Sequence, residues 1–185
     1  MPTARIRPHH AALTLFFTLS ATGVHAQAAP QPPAEIRRIT ALAGTFEGKA
    51  TYTANGKPVT FTLHHVNQVI AGGFGLQCHE DADIPGMGRY VAEDLFGWDA
   101  GRGQLHLFSV TNDPYAHDHA GPWTDAHHAT LRWEGVHDGR KMSEVLPIEI
   151  VGPDEYRFHS TVTTAGKPPE TFDAVMKRVA ATASR

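Results

Sequence analysis

Histidine is the residue type that stands out: the 185-residue chain carries 13 of them, several beside carboxylates. His117-Asp118-His119 and His127-His128 fall in or just after one predicted connection, and His79, Glu80, Asp81 and Asp83 fall on another. Two residues spaced two apart in extended chain point their side chains the same way. Imidazole and carboxylate donors suit zinc, copper, nickel or iron. His117, His119 and His127 with His79 or Glu80 are therefore candidate ligands of a transition metal, three of them leaving a coordination position for water or substrate. The opposing reading is a solvated polar loop, because acids and histidines are ordinary on exposed connections and no spacing as diagnostic as His-Glu-x-x-His is present.

His65, His106 and His159 fall within predicted strands and are candidates for the axial ligand of a haem, which would be non-covalent because no Cys-x-x-Cys-His sequence occurs. The alternative for each is a hydrogen-bonded wall residue. Enzyme chemistry has thinner support. Ser109, Ser143 and Ser160 lack a Gly-x-Ser-x-Gly elbow, Cys78 and His79 are merely adjacent, and no glycine-rich phosphate loop precedes a helix. Asp94 with His65 would serve as an acid/base pair if brought within hydrogen-bond reach. The reading leans away from an enzyme and assigns no catalytic residue.

A β-sheet must position these groups. Asn55-Gly56 and Asp138-Gly139 are hairpin signals, a glycine-rich turn covers 99–103, and Gly152-Pro153-Asp154 and Gly166-Lys167-Pro168 punctuate the end. Between them, two-residue alternation predicts nine strands at about 45–53, 59–66, 68–78, 89–98, 104–111, 126–136, 141–151, 155–164 and 171–178. Ile36, Ile39, Leu42 and Ala43 recur at helical spacing, which predicts one short helix over 34–43 ending at Gly44. The expected fold is all-β: an antiparallel up-and-down meander closed into a barrel, with one short N-terminal helix.

Alternation gives an inward face on three strands: Phe46, Gly48, Ala50 and Tyr52; Val59, Phe61, Leu63 and His65; and Tyr90, Ala92, Asp94, Phe96 and Trp98. The strand 104–111 has apolar residues on both faces and stays undecided. Gly72-Gly73 is read as a bend within its strand. Connections 54–58, 79–88, 112–125 and 152–154 are expected at one open end, with the helix plugging the other.

Composition supports a single domain. With 41% hydrophobic residues, 19% charged residues and one cysteine, collagenous, coiled-coil and disulfide-stapled classes are excluded. Arg5 and Arg7, the apolar run 11–19 and Val24-His25-Ala26 read as a secretory signal peptide over 1–26, so the mature protein is expected in the periplasm or secreted. Residues 27–33 read as an extended tail, 34–178 as the barrel domain and 179–185 as a flexible C-terminal tail. Removing 1–26 takes away two arginines and no acid, which moves the formal charge from −3 to −5. No run of Lys or Arg exists, which disfavours nucleic acid and anionic membrane as partners. No membrane insertion is expected after cleavage, and no protein partner is indicated. The unpartnered Cys78 is expected to be buried.

The stretch Leu42-Ala43-Gly44-Thr45-Phe46-Glu47-Gly48 resembles the opening of calycin-type barrels, where a glycine, one residue and an aromatic begin the first strand beside a closing helix. Phe96-Gly97-Trp98-Asp99 and the closing strand 171–178 match as well, so the resemblance spans most of 40–178 and points to an uncharacterised bacterial family of calycin-like (lipocalin-like) barrels. It implies a cup for a small apolar or amphipathic molecule, with no specific ligand and no catalytic residue. The candidate wall of such a cup is Phe46, Tyr52, Phe61, His65, Phe74, Tyr90, Phe96, Trp98 and Trp133. These aromatics would equally fill the interior of a small barrel.

Overall fold

The computed structural model describes residues 29–180. The expected signal peptide 1–26, residues 27–28 of the expected N-terminal tail and residues 181–185 of the expected C-terminal tail lie outside the described residues. A helix, α1 (Ala34–Thr40), precedes ten strands: β1 (Gly44–Ala54), β2 (Lys57–Ile70), β3 (Gly75–Ile84), β4 (Gly88–Asp99), β5 (Gln104–Thr111), β6 (Ala116–Gly121), β7 (His128–His137), β8 (Arg140–Gly152), β9 (Glu155–Thr164) and β10 (Glu170–Arg178). Each strand pairs antiparallel with the next, and β1 closes on β10.

The count of nine strands is corrected to ten, and closure explains why. In an up-and-down meander, the first and last strands run antiparallel only when the number of strands is even. The tenth strand is β6, inside the segment read as a connection over 112–125. Its main-chain partner is β5; across to β7 the ladder holds one register pair, Ala120 with Arg132. At Gly121 a side chain would stand 1.9 Å from the Thr130 carbonyl oxygen, so glycine is required where the two strands do approach. Toward the other end of β6 the backbones part. Tyr115 against His137 and His117 against Trp133, each with ring centroids 3.8 Å apart, fill that seam with side chains.

Two further expectations change. Gly72 (φ 64°) and Gly73 (φ 99°) form the connection from β2 to β3 instead of a bend within a strand, because left-handed backbone breaks the ladder. Strand β3 runs on to Ile84, so His79 and Glu80 are strand residues; the turn falls at Pro85-Gly86-Met87. Connections 55–56, 85–87, 112–115, 138–139 and 165–169 therefore share one end. Connections 100–103, 122–127 and 153–154 share the other end with α1, and the expectation that 152–154 lies at the open end is corrected. The extra strand reverses every later connection.

The inward faces follow the alternation. Phe46, Ala50, Phe61, Leu63, Ala92, Leu105, Leu107, Leu131, Ile148, Ala174 and Met176 are buried. On β5 the undecided face resolves with Leu105 and Leu107 inward and Phe108 and Val110 exposed. Helix α1 contributes Ile36 and Ile39, and Leu42 follows, to close the floor. Arg178 staples that floor. Its guanidinium donates to the Ala41, Ala43 and Pro153 carbonyls and to Asp154, and lies 4.5 Å from the Phe46 ring centroid.

Candidate functional site

A cavity of about 320 Å³ runs down the barrel from the exposed Met87 and Asp113, at the loop end, to Ile39 and Leu42 at the helical floor. Its apolar wall includes Leu76, Ile84, Phe96, Leu107, Phe158 and Phe172. Set into that wall are polar groups from six strands: His65 (β2), Glu80 (β3), Asp94 (β4), His117 and His119 (β6), Glu144 (β8) and Ser160 (β9). Alternation places them there, since each occupies the inward parity of its strand.

One group of contacts centres on His65. Its Nδ1 is hydrogen-bonded to the Tyr156 hydroxyl at 2.5 Å, and its Nε2 lies 3.1 Å from Glu80 Oε1 without the alignment of a hydrogen bond. Tyr90 donates its hydroxyl to Glu80 at 3.5 Å. Burial pushes the His65 imidazole down to about 3 and the Glu80 carboxyl up to about 7. Asp94 is raised as well, by its burial and by the charge of Glu80. Two buried acids this close cannot both ionise cheaply, so the site holds a proton that a pair of exposed carboxylates would have released. Burial likewise raises the Cys78 thiol, which keeps it a small apolar wall group.

A second group centres on Glu144. His119 Nε2–H donates to Glu144 Oε2 at 2.8 Å, His117 Nδ1 lies 3.9 Å from the same oxygen, and Ser160 donates to Oε1. Burial alone would raise this carboxyl. The hydrogen bonds from His119 and Ser160 and the two neighbouring imidazoles outweigh that and hold it below the ordinary carboxylate range. Burial and the neighbouring His119 lower His117.

Of the aromatic and histidine wall anticipated from sequence, Tyr52, His65, Tyr90 and Phe96 line the cavity. Phe46, Phe61, Trp98 and Trp133 do not. Phe46 is fully buried, against Tyr156 and under Arg178; Phe61 packs on Phe172; and Trp98 packs against the buried core. Trp133 lies behind His117. Phe74 is corrected most plainly: it follows the glycine turn, where strand parity no longer holds, and is 39% exposed.

The anticipated metal ligands divide similarly. His117, His119 and Glu80 face the cavity, whereas neighbours on a strand must face opposite ways, so His79 points outward and pairs with Glu93 at 2.7 Å. His127 lies at the helical end, its ring on the Ile150 carbonyl, and cannot join them. Of the haem candidates only His65 is inside; His106 pairs with Asp118 and His159 with Asp173 on the outer face. His65 meets Glu80, not Asp94, as its acidic neighbour. Glu144 is the group that sequence reasoning missed. Its only local sign was an acid among alternating apolar residues on β8.

A closed antiparallel meander, floored by a helix and hollow toward one end, is the architecture of calycin-like barrels. Two solved structures share it: Rv2717c from M. tuberculosis, at TM-score 0.64 and 13% identity, covering 81% of this chain and 100% of that one; and the S-type phycobiliprotein lyase CPES from Guillardia theta, at TM-score 0.51 and 12% identity, covering 83% and 100%. No protein-family model matches the chain, and no curated protein does.

Proposed function

We propose that this chain is an exported binding barrel that takes a small amphipathic molecule into its cavity, its apolar part against Leu107, Phe158 and Phe172 and its polar part against His65 and Asp94. One observation carries the reading: in the cavity wall, His65 Nε2 and Asp94 Oδ1 are buried and have no hydrogen-bond partner. A buried polar atom without a partner costs about 1–3 kcal/mol, a cost that a core under selection for packing alone would shed by substitution. A guest carrying a hydroxyl, amine or amide would satisfy both atoms. The volume sits at the small end of ligand pockets, which favours a compact guest over a long lipid. Export rests on the signal sequence, and the acidic mature chain suits neither nucleic acid nor membrane insertion.

The test compares native and denatured masses of the chain purified from the periplasm of an expressing cell, beside a Thr111→Trp variant that narrows the cavity from its lining near the mouth. The expected result is an excess of a few hundred daltons, released on denaturation and missing from the folded variant. A wild-type chain without excess that also takes up no fluorescent amphipathic probe overturns the reading, as does an excess unchanged by the tryptophan.

A further inference from the structure

We infer that His117, His119 and Glu144 form a binding site for a divalent transition metal of the zinc and cobalt kind, set in the cavity wall beside the β6–β7 seam. The site does not depend on the organic guest proposed above. One donor atom from each residue lies within 4.8 Å of the other two, and His117 Nδ1 and His119 Nε2 stand 3.9 and 2.8 Å from Glu144 Oε2. Donors around one ion with bonds of about 2.0–2.2 Å lie roughly 3 to 3.5 Å apart, so the observed spacings bracket the geometry required.

The surroundings are those of a held ligand set. Ser160 fixes the Glu144 oxygen that faces away from the imidazoles, and the His117 ring is stacked on Trp133. His119 is 3% exposed, and its Nδ1 has no hydrogen-bond partner. That free nitrogen matters, because a histidine that gives its Nε2 lone pair to a metal must carry its remaining proton on Nδ1. Ligation through Nε2 therefore moves the ring proton from Nε2, where it is now donated to Glu144, to Nδ1, which accepts no hydrogen bond that would have to be broken first. Two imidazoles and one carboxylate leave at least one coordination position vacant, and since all three residues line the cavity, that position faces whatever occupies it.

A second cluster, His65, Cys78 and Glu80, is equally compact. It is the poorer candidate: Tyr156 already occupies His65 Nδ1, and the Cys78 thiol is held protonated where a metal needs thiolate. It therefore serves as the internal control.

The experiment titrates Co²⁺ into chelator-treated, tag-free protein, followed by visible absorption, with Zn²⁺ as competitor. Wild type is expected to bind one equivalent. His117→Ala, at a position only partly buried, and the isosteric Glu144→Gln are each expected to weaken binding by about 100-fold or more while keeping the wild-type circular dichroism. His79→Ala, His127→Ala and Cys78→Ser are expected to leave it unchanged. Co²⁺ should quench tryptophan emission in wild type and much less in Trp133→Phe at the same stoichiometry, because Trp133 stacks on a ligand. Absence of binding up to about millimolar metal, or an equivalent that survives both His117→Ala and Glu144→Gln, overturns the site. So does loss of binding in any of the three control variants.

Discussion

Replacing Glu80 by glutamine should make the folded protein more stable at alkaline pH and leave it nearly unchanged at pH 4.5. Glutamine keeps the size and hydrogen-bonding capacity of the protonated acid and removes its ionisation. The folded-state value of Glu80 is raised from 4.5 to about 7, because burial disfavours its charge. The stability this group contributes is therefore fully present below pH 4.5 and is lost as pH rises through about 7. A displacement of that size corresponds to about 3 kcal/mol, which wild type should lose relative to Glu80→Gln across that interval. His65 acts with the opposite sign in both proteins. Its folded value is lowered from 6.5 to about 3, so its contribution is present above pH 6.5 and lost as pH falls through about 3. Between pH 4.5 and 6.5 the two slopes oppose each other in wild type and its stability stays nearly level; in the variant only the histidine slope remains and stability climbs. Urea denaturation of both proteins at half-unit steps from pH 4.5 to 8.5 reads this directly. Parallel curves with a constant offset would refute the proton-holding acid, and with it the electrostatic description of the cavity.

Two further outcomes test the packing. The Cys78 thiol, 3% exposed and with its ionisation suppressed by burial and by nearby acids, should react with an aromatic disulfide reagent only as fast as the protein opens, and at once in denaturant; rapid modification of the native chain would contradict its placement. Gly48→Ala should destabilise by about 3 kcal/mol or more, because the new methyl would stand 2.1 Å from the Val175 carbonyl oxygen on the neighbouring strand, whereas Gly97→Ala, with nothing within 4 Å, should be mild. Similar melting temperatures for the two would show that β1 and β10 are not locked as close as described.

Holding charged and polar groups inside a barrel opposes stability unless each is satisfied. In the Glu144 group Ser160 and His119 largely achieve that, while in the His65 group two atoms are left over. The cavity is thus a region where local sequence choice and core packing disagree, which is where function is expected to reside.

Much of the architecture was legible because strand signals are local. Asn55-Gly56 and Asp138-Gly139 can adopt the left-handed turn that few other pairs tolerate, and alternation along β1, β2 and β4 identified the inward residues before any pairing was known. The same locality explains the failures. Strand β6, with His117-Asp118-His119 at its centre, has little apolar content to mark it as a strand. Pro85-Gly86 was the available sign that β3 runs past His79, and reading it would have turned His79 and Glu80 to opposite faces.

By itself, the sequence determined the closed meander, the floor helix and the two histidines that face the same way, since each depends on residues a few positions apart. Only tertiary structure decided that Glu144, 25 residues beyond His119 and two strands away, meets them, and that His127 cannot. Barrel closure sets those neighbours: strand number and register fix which inward side chains converge, and a single additional strand reverses the end at which every later loop emerges.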